Sequence, residues 1–177
     1  MSRVASSSIR GMALAYALVV LSLTAASLST AAGVFAERPT SGCPVTVVSP
    51  ATRPPMSVPA SFNYGNAKIA VALFPTSGKL VAGRLPSGGS RATINPDGSI
   101  YAKYGWWRAG SAKPVISGSL WTDPRRHLQA SVPGGYGSGF QATGLTFPTT
   151  GCWRVTGRVG RTALHFTVLV SKSRLGP

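Results

Sequence analysis

Two stretches near the C-terminus alternate apolar and polar residues with a period of two. In Cys152–Val159, Trp153, Val155 and Val159 share one face, while Arg154, Thr156 and Arg158 share the other. In Ala163–Val170, Leu164, Phe166, Val168 and Val170 oppose His165, Thr167 and Leu169. Successive side chains of a strand point to opposite faces, so each stretch predicts a strand with one buried and one wet face. Upstream, short apolar runs are punctuated by turn signals, and no helical period emerges. Ile69, Val71 and Leu73 line one side of a strand, and the hairpin signal Pro75-Thr76-Ser77-Gly78 leads into another at Lys79–Leu85. Asn95-Pro96-Asp97-Gly98 reads as a turn between Arg91–Ile94 and Ser99–Tyr104. A second turn at Asp123-Pro124 separates Val115–Trp121 from Leu128–Val132. Phe140–Phe147 alternates, slips phase at Thr143-Gly144 as a bulge would, and resumes with Leu145 and Phe147. About eight or nine strands at this spacing predict an all-β domain over residues 63–172, an antiparallel β-sandwich with a small barrel as the alternative. Residues 173–177 form a tail.

The region before the sheet divides in two. Arg3 and Arg10 precede a dense apolar stretch, Met12–Leu23, and no further charge occurs until Glu37. That length suits the core of a secretory signal rather than a bilayer span. Val34-Phe35-Ala36 has the small–x–small pattern of a cleavage site, so residues 1–36 read as a signal peptide, with Ala31 and Ala32 as alternative cleavage points. The rival is an uncleaved anchor helix over Gly11–Val34, for which the Ser and Thr residues after Leu23 are poorly suited. A lipid anchor at Cys43 fits less well, because Thr40-Ser41-Gly42 lacks the usual apolar residue three before the cysteine. Residues 37–62 carry Pro39, Pro44, Pro50, Pro54, Pro55 and Pro59. Proline at this density disfavours helix and continuous sheet alike, leaving a lead-in in which only Val45–Val48 could pair as a short edge strand. The expected location is secreted or extracytoplasmic, with membrane anchoring as the alternative.

Export changes the reading of the two cysteines. Cys43 and Cys152 both fall in the exported part, and an even count in an oxidising compartment predicts a disulfide that ties the lead-in to the sheet, against two free buried thiols. Closing a loop of that length contributes roughly 4–5 kcal/mol in the chain-entropy model. The charge balance is lopsided, with 18 Lys and Arg against 3 Asp and Glu. Such a domain attracts anionic polymers or lipid surfaces and repels cations. The charges are dispersed, with no run longer than Arg125-Arg126, so a solvated basic surface competes with a dedicated anion site.

The stretch from Gly135-Tyr136-Gly137-Ser138-Gly139-Phe140-Gln141 through Gly144-Leu145 and Phe147-Pro148 to Gly151-Cys152-Trp153-Arg154-Val155-Thr156-Gly157 resembles a family of uncharacterised exported bacterial proteins. Cys43-Pro44-Val45-Thr46, Tyr64-Gly65-Asn66, and Pro96-Asp97-Gly98-Ser99 followed by Trp106-Trp107-Arg108 extend the likeness over most of residues 43–170. The resemblance implies an immunoglobulin-like sandwich with Gly151-Cys152-Trp153 entering a late central strand. It implies no activity. Arg154 and Arg161 stand where the family pattern leads one to expect acids.

Candidate chemistry is sparse. The carboxylates after residue 36 are Glu37, Asp97 and Asp123, and the two aspartates sit in turn signals, so a converging carboxylate pair is not in view. Hard-metal binding lacks clustered oxygens, His127 and His165 lack ligand spacing, and oxidised cysteines would leave no zinc set. Gly137-Ser138-Gly139 is not a nucleophile elbow, and no phosphate-cradling motif occurs. No cofactor is expected.

The positive signal is aromatic: Tyr101, Tyr104, Trp106 and Trp107 crowd together, with Lys103 and Arg108 interleaved. Adjacent Trp106 and Trp107 on a strand point to opposite faces, so one should enter the core and the other remain outside. The candidate ligand-binding set is Tyr104, Trp106, Trp107, Arg108, Trp121 and Tyr136, against the alternative that all of these pack in the sandwich. The leading functional expectation is a non-catalytic extracytoplasmic module that binds or scaffolds at the cell envelope, favouring an anionic cell-wall polymer or membrane surface. A sugar- or peptide-binding module using exposed Trp and Tyr is the second reading. An exported Ser hydrolase using His127 or His165 is the third, and nucleic acid is disfavoured by the compartment.

Overall fold

The computed structural model describes residues 42–85 and 92–174. The expected signal segment 1–36 and its anchor-helix alternative, the start of the lead-in, Arg91 and the last three residues of the tail lie outside the described residues. Eleven strands follow in chain order: β1 (Tyr64–Gly65), β2 (Ile69–Val71), β3 (Lys79–Ala82), β4 (Ala92–Ile94), β5 (Ile100–Arg108), β6 (Val115–Leu120), β7 (Asp123–His127), β8 (Gln129–Ser131), β9 (Gly139–Phe147), β10 (Gly151–Val159) and β11 (Thr162–Lys172). They form two sheets. Sheet A runs β1-β2-β5-β9-β8, with β4 also paired to β5, and sheet B runs β3-β11-β10-β6-β7. All pairings are antiparallel except β3 on β11, which is parallel.

The inner faces of the two sheets share one core, the arrangement of a β-sandwich. Sheet A contributes Ile69, Val71, Ile100, Ala102, Tyr104, Trp106, Leu145 and Phe147, and sheet B contributes Leu80, Ile116, Trp153, Val155, Leu164, Phe166, Val168 and Val170. The predicted period of two therefore holds in β10 and β11, where the named apolar residues face this core. Trp106 and Trp153 are both fully buried. Trp106 fits because Gly157 faces it across the sandwich; a Cβ there would collide with the indole. Its Nε1–H donates to Thr143 Oγ1 at 3.0 Å, which satisfies the one polar group of a ring otherwise removed from water.

Several expectations are corrected. The strands number eleven among the described residues rather than eight or nine, because Tyr64–Gly65 and Asp123–His127 pair as strands of their own. Pro75–Gly78 closes no hairpin, since β2 lies in sheet A and β3 in sheet B. No bulge interrupts Thr143-Gly144: β9 pairs with β5 in unbroken register from Ile100↔Phe147 to Arg108↔Gly139. The apparent phase slip arises because two inward positions of β9, Gln141 and Thr143, are polar and hydrogen-bonded in the interior. Asp123-Pro124 is not a turn between strands but the start of β7, an edge strand where a missing N–H is tolerated. Val45–Val48 does not form a strand; Thr46 instead donates its N–H to Thr167 O at 2.8 Å and accepts the Thr167 N–H on Oγ1 at 2.9 Å.

The proline-rich segment is held at both ends. Cys43 and Cys152 form a disulfide with a Cα–Cα distance of 5.4 Å. Further on, Val58 and Phe62 are buried against Ala70 on the outer face of sheet A, together with Ala72 and Trp107. A disulfide fits an oxidising, extracytoplasmic location. Among the described residues no helix is long and apolar enough to cross a membrane.

Candidate functional site

The outer face of sheet B carries the clearest concentration of cations. On β10, Arg154 and Arg158 are exposed while their neighbours Trp153 and Val155 are buried. Across the ladder to β6 they stand opposite Ser119 and Val115, with Ser117 opposite Thr156 between them. These partners are uncharged. Arg154 stacks its guanidinium 4.5 Å from the centroid of the Trp121 ring. Together with Ser119, Leu120 and Pro124 this pair lines an open pocket of about 240 Å³. Arg125 and Arg126 follow at once on β7, both exposed. Among the described residues the ion pair is Arg125–Asp123, at 3.7 Å on the surface. Arg154 and Arg158 thus have no carboxylate at ion-pair distance among the described residues.

The candidate set from the sequence is not one cluster. Tyr104 and Trp106 are core residues of β5, packed against Phe166 at 5.7 and 6.0 Å between ring centroids, and offer no surface to a ligand. Burial pushes the Tyr104 phenol well above its ordinary range. Trp107 takes the opposite face, as adjacent strand residues must, but it is half-buried beneath Val58 and Phe62 rather than open. Trp121 lies far along the other sheet, beside Arg154. Tyr136 is exposed on the loop before β9.

Arg108 is 1% exposed, the same parity as Trp106 having turned it inward. A buried guanidinium without a carboxylate must find other acceptors. Nη1 donates to Gly110 O at 3.0 Å; Nη2 donates to Tyr136 O at 3.1 Å, to Gly137 O at 2.7 Å and to Gln141 Oε1 at 3.3 Å. Gln141 Nε2 in turn donates to Pro133 O at 3.0 Å. Nε of Arg108 is buried without a partner among the described residues. The glycine-rich loop between β8 and β9 is therefore clasped from within the sandwich by two side chains.

That loop borders a second depression, on the outer face of sheet A. Tyr101, Lys103, Ser131, Pro133, Tyr136, Ala142 and Gly144 line an open trough of about 240 Å³. Gly144 stands between Lys103 on β5 and Ser131 on β8. The Tyr101 ring lies across it: a Cβ on Gly144 would come within 2.6 Å of Tyr101 Cε2 and 2.7 Å of its hydroxyl oxygen. Tyr136 meets Phe140 edge-on at 5.6 Å, and Phe140 packs on Phe62 at 6.3 Å. Tyr101 and Lys103 were outside the candidate set, although strict alternation along β5 separates them from Tyr104, Trp106 and Arg108 and assigns them to the outer face.

The remaining polar groups have local partners. Asp97 accepts from the Ser99 hydroxyl at 2.6 Å and from its N–H at 2.9 Å, and those bonds hold its carboxyl below the usual range. His165 Nδ1 pairs with Thr156 Oγ1 at 2.9 Å on the outer face of sheet B. His127 is exposed at the end of β7. No family model, curated protein or solved structure matches this chain.

Proposed function

We propose that this chain is an exported immunoglobulin-like module that works without catalysis, binding an anionic polymer of the cell envelope through the outer face of sheet B. The fold reading is supported by strand order. Sheet A places β2, β5, β9 and β8 in the order A-B-E-D of an immunoglobulin domain; sheet B places β6, β10 and β11 as C-F-G, with β7 beside β6 as an extra strand. The parallel pairing of β3 with β11 fits a first strand shared between the sheets. The disulfide departs from the usual inter-sheet bridge, since Cys43 lies before the first strand. Export is supported by the signal-like residues 1–36 and by that disulfide, and the family likeness of Gly135–Gly157 agrees with both.

The observation that carries the binding reading is that Arg154 and Arg158, exposed on the same face of β10, have no carboxylate partner among the described residues. Guanidinium groups without carboxylate partners keep their full field for a ligand, and Arg presents forked donors suited to phosphate or carboxylate oxygens. The flanking Ser117, Ser119 and Thr156 add neutral hydroxyls at the same face. The test is retention of the protein on immobilised poly(glycerol phosphate) across a salt gradient. Retention should fall steeply as sodium chloride rises from 0.05 to 0.5 M, since the screening length shrinks below about 8 Å past physiological ionic strength. Replacing Arg154 and Arg158 with Glu should abolish it. Retention that ignores salt, or survives both substitutions, defeats the reading; preference for phosphatidylglycerol vesicles over the polymer would reassign the partner to a lipid surface.

A further inference from the structure

We infer that the trough on the outer face of sheet A is a second site, one that takes a single sugar ring of an extended saccharide chain, independently of the cationic face on sheet B. Three observations converge on it. First, an aromatic ring covers a glycine on the sheet face. Gly144 lacks the side chain that would lift the Tyr101 ring, so the ring spans the floor while Lys103 and Ser131 stand on either side. A pyranose has the matching shape, with C–H bonds on its face and hydroxyls around its edge. The face would rest on the tyrosine, leaving edge oxygens to meet the Lys103 ammonium and the Ser131 hydroxyl.

Second, the far wall is fixed at some cost. Tyr136 belongs to a loop that would otherwise be mobile, being built from Gly134, Gly135, Gly137 and Gly139. Arg108 and Gln141 reach it from the interior and hold the carbonyls of Pro133, Tyr136 and Gly137. Burying a cation with an unpartnered Nε is unfavourable for stability alone. What the arrangement secures is the position of Tyr136 beside the trough, so Arg108 acts as a positioning residue and touches no ligand.

Third, the location selects against a peptide, because the one sheet edge beside it, β8, spans only three residues. An extended peptide gains affinity by adding to a free sheet edge. The trough lies on a face, over β5, β9 and β8, where the β9 backbone is paired on both sides from Gly144 to Thr146. A peptide lying there would leave its own amides unpaired, whereas a sugar carries its polar groups at the ring edge. The trough is also smaller than the roughly 300–1,000 Å³ pockets that enclose whole small molecules. It would grip one ring of a chain whose remainder passes over the sheet.

The test uses the full-length chain and two probes: the hexamer of β-1,4-linked N-acetylglucosamine, which is neutral, and the hyaluronan hexamer, in which every second sugar is a uronate. Both are titrated in 1 M sodium chloride, where the screening length is about 3 Å and the binding proposed for sheet B is silenced. Signals of Tyr101, Lys103, Gly144 and Tyr136 should shift in NMR spectra with at least one probe, while those of Trp121 and Arg154 stay still. Tyr136→Ala, on an exposed loop, should weaken binding at least tenfold with an unchanged melting temperature. Gly144→Ala should also weaken binding by tilting the Tyr101 ring, and Arg108→Lys should weaken it while broadening the loop signals from Gly134 to Gly139. Absence of shifts with both probes overturns the site. So does binding that survives Tyr136→Ala, or a stronger response to a proline-rich peptide. Loss of salt-dependent retention on poly(glycerol phosphate) leaves this result untouched, so the two readings fail separately.

Discussion

At the scale of single residues, parity along β5 decides which side chains build the core and which face a ligand. Tyr104, Trp106 and Arg108 share one parity and enter the core; Tyr101, Lys103 and Trp107 share the other. The aromatic run was legible as a feature, and one Trp of the adjacent pair was expected inside. What was not legible is that Arg, the residue least expected in a core, continues the inward parity. Two of its acceptors are backbone carbonyls of a loop nearly thirty residues downstream, which no local pattern reveals. The same holds for Gly157, whose role depends on Trp106 across the sandwich. Gly157→Ala should destabilise the domain by about 1–3 kcal/mol through overpacking against the indole. Urea unfolding followed by tryptophan fluorescence measures this, and a midpoint unchanged from the parent would show that the core yields there.

At the scale of elements, strands with a clean period of two were readable and those with polar inward positions were not. β10 and β11 follow their apolar pattern closely. β9 does not, because Gln141 and Thr143 face inward as partners of Arg108 and Trp106, and a polar residue in an inward slot imitates a change of phase. The Asp123-Pro124 pair imitates a turn for a similar reason: edge strands tolerate the same residues that turns favour. The cysteine of the lead-in was legible as a tether, but its single 3-10 turn at Pro50–Thr52 and the packing of Val58 and Phe62 on Ala70 were not. Replacing Cys43 and Cys152 with Ser should cost about 2–5 kcal/mol, as for native disulfides in small exported domains. Chemical denaturation of the double variant, compared with the parent under non-reducing conditions, checks this. A loss below about 1 kcal/mol would mean that Thr46, Val58 and Phe62 hold the segment unaided.

At the scale of the whole molecule, charge pulls on stability and binding in opposite directions. With so few acids, the surface repels itself, and self-repulsion disfavours the compact state. Raising sodium chloride from 0.02 to 0.5 M should therefore increase the melting temperature by about 3 °C or more in scanning calorimetry, while the same change releases the protein from polyanions. A melting temperature that is flat or falls with salt would show that the cations are already compensated within the fold. The net charge was plain from composition. Its arrangement was not, since Arg154 and Trp121 come together only when β10 pairs with β6.

β7 has a consequence of a different kind. It is the outermost strand of its sheet, and between its paired residues Asp123 and His127 it bulges with Pro124, Arg125 and Arg126. A neighbouring copy attempting to extend the sheet would find one amide hydrogen missing and two like charges waiting. β1 and β8, which end the other sheet, span only two and three residues. At these three edges the backbone offers little for a neighbouring copy to extend, and crowding at a surface can bring copies together there without one templating the next.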